Sequence, residues 1–408
     1  MNNRFLPAAA AFAVSAVFAM PAAHAEKLTI TVTHALDQAR PAETITVPWS
    51  EVNRVLPGAL LQKIAVRDAS GKLLPYQVTN VAPQAKDPEN RGIAYGDLIF
   101  QHDFKAGEKS ATFTVEKTET VSPPFPTKVF ARYVQERLDD FAWENDKVAH
   151  RTYGPALGAP APAGGGKEVL VTSGNDIWFK RVPYPIVDRW YNKGHDHYHV
   201  DQGEGMDMYN VGRTLGAGGT GIWDGTKIAK ATNYAKWKVL ANGPVRAIFE
   251  LSYDAFDAAG TQVSEVRRFT VDAGHWFDRI DSTFTFNGGQ QLNAVVGLNK
   301  TPSDKGQDPQ IATDRVPADG SLRQWVTQKS NDAFGVAVVV PAAKDAGSDQ
   351  ANDFVIAPVT SGKPLTYYVG AAWSRAGEIR TKDEWAKQVA LTAARAKSPV
   401  KVVVAVAK

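Results

Sequence analysis

Chemistry concentrates between residues 195 and 213 of this chain. The run His195-Asp-His-Tyr-His-Val-Asp-Gln-Gly-Glu-Gly205 holds three of the eight histidines in the sequence, and Asp207, Tyr209 and Arg213 follow closely. Gly203, Gly205, Gly212 and Gly216 are interleaved with them. Ionisable side chains are costly to bury without partners, so this does not read as a core strand. Glycines among polar residues suit a loop where a ligand comes close to the backbone. Two chemistries can use such a set. His and Tyr can move protons while an Arg or Lys fixes an anionic group. Alternatively, His195, His197 and His199 with a carboxylate can hold a divalent metal. In an extended segment those imidazoles share a face but stand roughly 7 Å apart, too far for all three to reach one ion. A metal therefore stays open as a cofactor without a complete ligand set to name.

Further candidates flank this run. In Trp143-Glu-Asn-Asp-Lys-Val-Ala-His-Arg-Thr-Tyr-Gly154, Arg151 and Tyr153 share a face if the segment is a strand. Arg151 can then grip a carboxylate in bidentate fashion, and Tyr153 can stack or exchange a proton; a structural Arg–Glu pair with Glu144 is the plainer alternative. Trp178-Phe-Lys-Arg181, Tyr184, Trp190 and Tyr191 supply rings and the cation Lys180 ahead of the polar run. Each Trp taken alone reads more readily as core packing. Gly216-Ala-Gly-Gly219 leads to Trp223 and not to a helix, so it is no nucleotide loop. His275-Trp276, Asp278, Arg279 and Asp281 form a fourth group, in which Arg279 and Asp281 fit a strand ladder pair. No Gly-x-Ser-x-Gly elbow and no phosphate loop is present.

The elements that must position these residues read almost wholly as strands. Leu28-Thr-Ile-Thr-Val32, Thr44-Ile-Thr-Val47 and Thr112-Phe-Thr-Val115 alternate apolar and polar, with shorter runs at 64–66, 76–78 and 98–100. Spacing of about ten residues with polar turns predicts a small β-sandwich over residues 26–122. Pro123, Pro124 and Pro126 then interrupt any ladder and mark a connector. From 127 to 408 strands are expected again, at 244–253, 264–271, 279–287, 292–299, 334–340, 365–372 and 399–407. Hairpin turns are expected at Asn242-Gly243 and Gly288-Gly289. One helix stands out, because Thr381-Lys-Asp-Glu384 is a capping box ahead of helix formers. The prediction is an all-β protein: a small leading sandwich, then a large antiparallel super-sandwich with one C-terminal helix.

The first 25 residues predict an export signal. Arg4 precedes an apolar stretch from Leu6 to Met20, and Ala23-His24-Ala25 is a small-x-small cleavage site. A cut after Ala25 would deliver the protein to the periplasm or the medium, with no membrane attachment left. The absence of cysteine suits an oxidising compartment and excludes thiol catalysis. With 46 Lys+Arg against 43 Asp+Glu there is no electrostatic footprint for nucleic acid.

Three motifs carry a family resemblance. They are the run from Arg137-Leu-Asp-Asp-Phe to Tyr153-Gly-Pro155, then Tyr198-His-Val-Asp-Gln-Gly-Glu-Gly205, then Val211-Gly-Arg-Thr-Leu-Gly-Ala-Gly-Gly219. They resemble the domain-of-unknown-function family 4861, over most of the chain. The resemblance implies a galactose-mutarotase-like super-sandwich and a place among bacterial systems that degrade uronate-bearing polysaccharides such as pectin or ulvan. It shifts weight to Tyr198-His199-x-Asp201-x-x-Glu204, with Arg151 and Tyr153 beside it and His195 in support. Gln202 stands where the family pattern has His, which puts a base at that position in doubt.

The resulting expectation is a carbon–oxygen lyase or dehydratase acting on an anionic oligosaccharide. Arg151, Lys180 or Arg213 would neutralise the C6 carboxylate. His197, His199 or Tyr153 would take the C5 proton, and Tyr198, Tyr209 or Glu204 would protonate the leaving oxygen. Glu144, Asp201, Asp207 and Trp223 complete the expected substrate contacts. Alternatives are a mutarotase-like epimerase using His199 or His275 with Glu204, a hydrolase using Glu144 and Glu204, and a non-catalytic sugar-binding protein.

Overall fold

The computed structural model describes residues 27–81, 96–289, 291–304 and 306–406. The expected export signal and its cleavage site lie outside them. Strands dominate the described residues, as the alternation predicts. The leading sandwich pairs a three-stranded sheet (Arg40–Pro48, Asp97–Phe104, Tyr76–Thr79) with a four-stranded one. Leu28, Ile30 and Val32 point inward from Lys27–Thr33 and are fully buried, the period-two signature of a half-buried strand. They pack with Ile45, Val47, Phe100 and Phe113. Helix α1 (Trp49–Val55) closes one side, with Trp49 and Val52 in the same core.

The last strand departs from the expected domain division. Lys401–Val406 pairs antiparallel with Lys27–Thr33, from Leu28 opposite Val406 to Thr33 opposite Lys401. It therefore completes the leading sheet and does not belong to the larger unit, which was expected to run to residue 408. Val402 and Val404 rest on the leading core. Local periodicity marks a strand but says nothing about which distant partner it joins.

The larger unit is a sandwich around an eight-stranded antiparallel sheet, ordered Lys236–Ala241, Arg246–Ala258, Thr261–Asp272, Phe277–Phe286, Pro364–Trp373, Ala333–Val339, Ser321–Thr327, Gln310–Val316. Two five-stranded sheets cover its inner face. One contains Ala217–Trp223, Leu292–Asn299 and Asn352–Val359; the other, the site sheet, runs Gly205–Asp207, Asp176–Lys180, Val148–Thr152, Asp140–Glu144, Phe130–Val134. Phe141, Trp143, Phe249, Phe269, Val296 and Val336 share one core between the layers. Asn242-Gly243 joins paired neighbours as expected, whereas Gly288-Gly289 links strands of different sheets and is no hairpin.

Five helices occur among the described residues where one was expected. The expected one is α5 (Lys382–Lys397), which carries the Thr381/Glu384 capping box. It packs Trp385 onto the outer face of the eight-stranded sheet. The ring lies so close to Gly335 that a Cβ there would stand 2.6 Å from it. The others are short: α2 (Pro155–Gly158), α3 (Val187–Lys193) and α4 (His195–Tyr198). Segments of four to seven residues leave too little periodicity to read.

Candidate active site

The site is built on the outer face of the site sheet. Arg151 lies directly opposite Asp176, and Trp178 opposite Asp207. Alternation sends Phe141, Trp143, Ile177 and Phe179 into the core. The intervening Asp140, Arg151, Asp176, Trp178 and Asp207 face the other way. Helices α3 and α4 lie across that face, with Val187, Trp190 and Tyr198 packed on Ala142, Ala149 and Trp178. Gly194 joins the two helices at a φ of +89°, a left-handed conformation that favours glycine.

Arg151 is the pivot and is only 5% exposed. Its Nε donates to Asp176 Oδ2 at 2.7 Å, one terminal nitrogen to Asp207 Oδ2 at 2.8 Å, and the other to Tyr198 Oη at 3.4 Å. Asp140 lies 3.7 Å from it. Tyr153 donates to Asp176 Oδ2 at 2.7 Å and Tyr191 to Asp140 Oδ2 at 3.1 Å. The guanidinium also faces the rings of Tyr153, Trp178 and Tyr198 at 5.3 to 5.5 Å. Three carboxylates around one guanidinium leave the cluster short of positive charge. Burial raises Asp140 to about 7, against the pull of Arg151 and Arg137. Burial, followed by repulsion from Asp176, raises Asp207 well above the usual carboxylate range. Asp304 is raised by burial and then by Asp176, which brings it into the same electrostatic group.

His199 closes the cluster toward solvent, with its side chain 33% exposed. Nδ1 stands 3.2 Å from the Asp207 carbonyl, and Nε2 3.8 Å from Asp207 Oδ2. A carbonyl only accepts, so Nδ1 carries the proton and neutral His199 bears its lone pair on Nε2. Burial lowers the His199 pKa, and the nearby His195 and Arg151 lower it further. The helical turn brings the His195 ring to 4.5 Å from that of His199. This corrects the extended reading of the run: a helix brings positions i and i+4 together and turns His197 away. Among the described residues, no three His, Asp or Glu side chains are grouped to hold a metal ion.

The expected residues divide into those in this cluster and those held elsewhere. Arg151, Tyr153, Tyr198, His199 and Asp207 converge. Arg151 and Tyr153 are buried under carboxylates, so neither is free to meet a ligand as expected; they hold the others in place. Lys180 is likewise no substrate cation: its Nζ donates to Glu144 Oε2 and to the Asn145 carbonyl, both at 2.6 Å and fully enclosed. Glu144 in turn accepts from the Ile186 and Val187 amides at 2.9 Å and anchors the entry to α3. Glu204 accepts from Arg189, Tyr184 and Trp190. Burial alone would raise its pKa, but these bonds hold it below the usual range, which removes it as a proton donor.

Asp201 pairs with Arg181 at 2.8 Å and Arg375 at 3.4 Å, and caps the turn through the Gly203 amide. Tyr209 is buried in the main core. Arg213 is exposed at the start of the other five-stranded sheet, and Trp223 packs on Phe354 within that sheet. Neither joins the cluster. His275 lies elsewhere, bonded through Nε2 to the Ala42 carbonyl at 2.7 Å.

Asp140, Asp176, Arg137 and Asp304 were not among the expected residues, and Tyr191, expected as a ring, serves through its hydroxyl on Asp140. Arg137 reaches Tyr198 and feels Asp140, and its partner Glu168, at 2.6 Å, is exposed. Asp140 and Asp176 carried a readable signal, since each is an acid at the head of a strongly apolar strand.

A family model described as "Domain of unknown function (DUF4861)" matches residues 32–402. The chain belongs to that family. As a DUF4861 member it is 28% identical over 388 residues to an uncharacterized protein, P7, of Formosa agariphila, covering 91% of this chain and 92% of that one. Among solved structures it resembles an α-mannosidase from Enterococcus faecalis V583 at a TM-score of 0.46 and 10% identity, over 93% of this chain. A glycosyl hydrolase family 38 protein from Enterococcus faecalis gives 0.43 and 10%. The chain spans 46% and 47% of those two longer chains.

Proposed function

We propose that this DUF4861 protein is an exported carbohydrate-active enzyme that cleaves uronate-bearing oligosaccharides by β-elimination, with His199 as the proton-transfer residue. One observation carries the reading: a neutral imidazole, fixed through Nδ1 to the Asp207 carbonyl, keeps an unprotonated Nε2 at the edge of a buried acidic network. Such a group is poised as a base near neutral pH.

In the proposed step Nε2 takes the proton from C5 of the uronate. The C5–H electrons form the C4–C5 double bond, the C4–O bond breaks, and the leaving oxygen recovers the proton from the imidazolium. Asp207 Oδ2, 3.8 Å from Nε2, steadies the transient charge. One residue serving as base and then acid suits departure of both groups from one face of the ring. Arg137 is the cation for the C6 carboxylate, because Arg151 is already saturated and Lys180 is sealed. Arg137 can exchange its exposed partner Glu168 for a substrate carboxylate. Arg151, Asp176 and Tyr153 act as positioning residues. The uronate class rests on the family resemblance, together with Arg137, a partly exposed cation that reaches Tyr198.

The test is to incubate the purified protein with pectin- and ulvan-derived oligosaccharides and follow the ultraviolet absorbance of the conjugated enoate. Product mass separates elimination from hydrolysis, which adds one water. Enoate formation that disappears in His199→Ala supports the proposal. Hydrolysis products, or activity that survives His199→Ala, refute it.

A further inference from the structure

A cavity of about 600 Å³ lies between the leading sandwich and the outer face of the eight-stranded sheet. The His199 cluster sits on the far side of the larger sandwich, on the outer face of the site sheet. The two places are therefore separated by the full thickness of two sheets.

The cleft has a fixed shape. Gln77 of the leading sandwich accepts from the Val245 and Arg246 amides and donates to the Arg246 carbonyl at 2.8 Å. Gln101 donates to the Ala273 carbonyl at 2.8 Å, and Arg40 to the Ser398 carbonyl at 2.7 Å. These bonds tie both walls together before any ligand arrives, as preformed sites require.

Its lining mixes arginines, the carboxylates that pair with them, and hydroxyl groups. At the floor one carboxylate serves two guanidinium groups: Glu43 takes two bonds from Arg40, at 2.9 and 3.0 Å, and one contact from Arg395 at 2.7 Å. At the rim Arg268 and Arg279 have side chains 47% and 50% exposed. Their partners Glu250 and Asp281 hold them only through solvent-screened pairs. Either arginine can re-aim at a ligand carboxylate. Thr44, Thr46, Thr270, Thr392 and Tyr368 add hydroxyls along the walls. The rings of Trp276, Phe277 and Tyr368 lie among these arginines and hydroxyls, a combination that suits a saccharide bearing a carboxylate.

We infer that this cleft is a second binding site for a carboxylated saccharide, one that holds the chain without turning it over. The saccharide identity rests on the function proposed above; the anionic class rests on the two exposed rim arginines, Arg268 and Arg279.

The test uses an oligogalacturonate tetrasaccharide, and maltotetraose as its neutral counterpart. His199→Ala silences turnover, and R268A/R279A empties the rim. In the His199→Ala protein, calorimetry should show tetrasaccharide binding, and hydrogen exchange should slow in Arg40–Pro48 and in α5. Adding R268A/R279A should weaken that binding event at least about tenfold, the scale of a lost charge-assisted bond, and abolish the protection. The same pair of substitutions in the active protein should leave enoate formation from a disaccharide unchanged. Equal binding of maltotetraose, or protection that survives R268A/R279A, overturns the inference. Absence of enoate from the wild type, with cleft binding intact, would sink the catalytic proposal and leave the anion site standing.

Discussion

Replacing Arg151 by Met is the most direct probe of the network. The side chain is 5% exposed and contacts Asp176 at 2.7 Å, Asp207 at 2.8 Å and Asp140 at 3.7 Å. Removing one partner of a buried ion pair costs about 3–5 kcal/mol, because the other charge is stranded. Here three carboxylates lose their shared cation, but protonation limits the loss. Asp140 already titrates at about 7 and Asp207 is raised, so the variant protonates them in place of burying naked charge. The expected loss at pH 7 is therefore about 3–5 kcal/mol, a fall in Tm of about 6–20 °C for a unit of this size.

The pH dependence has a defined sign. Without Arg151 the carboxylates take folded pKa values above their unfolded ones, so the folded state binds more protons and stability falls as pH rises. The deficit should be small below about pH 4 and grow toward neutrality. Urea denaturation across that range measures it, and Asp176→Asn on top of Arg151→Met should recover part of the loss. A deficit below about 1 kcal/mol, or one that does not change with pH, would refute the picture of a tightly shared cation.

Three further outcomes are expected. Lys180→Met should destabilise the fold by about 3–5 kcal/mol through stranded Glu144, while KM on any turned-over substrate stays constant; a raised KM would return Lys180 to the substrate site. Asp278, whose pKa burial raises to about 7, accepts from Trp143 Nε1 at 2.7 Å inside the main core. Its folded pKa exceeds the unfolded value, so it makes stability fall between about pH 4 and 7. Asp278→Asn keeps an acceptor for Trp143 and should flatten that slope in denaturation series, whereas an unchanged slope would count against it. The acid limb of kcat/KM should lie below the ordinary histidine range, since burial and then His195 lower the His199 pKa. His195→Ala should move that limb upward, and a limb that stays put would remove His199 as the titrating base.

How much of this was legible in sequence depends on the range of the interaction. Alternation in Leu28-Thr-Ile-Thr-Val32 and its counterparts predicts strands because side-chain parity is local. The pairing of Lys401–Val406 with Lys27–Thr33 spans almost the whole chain and leaves no local mark. Choosing residues by type found Arg151, Tyr153, Tyr198, His199 and Asp207, but the same criterion admitted Lys180 and Glu144. It cannot separate a sealed ion pair from an open cation. Parity would have improved it: Asp176 shares its strand face with Trp178, opposite Arg151, and an acid at the head of an apolar strand needs a cation across the ladder.

The largest misreading was conformational, and it changes the chemistry. Taken as a strand, 195–199 offers three evenly spaced imidazoles on one face, too far apart to share one ion, and gives no reason to pair His195 with His199. As helical turns stopped and restarted at Gly194, it sets the His195 ring at a tilt beside that of His199 and brings His199 over Asp207. The same residues then form a lowered-pKa base above a raised-pKa acid. That opposition of environments, and not the number of histidines, is what makes the segment a candidate for proton transfer.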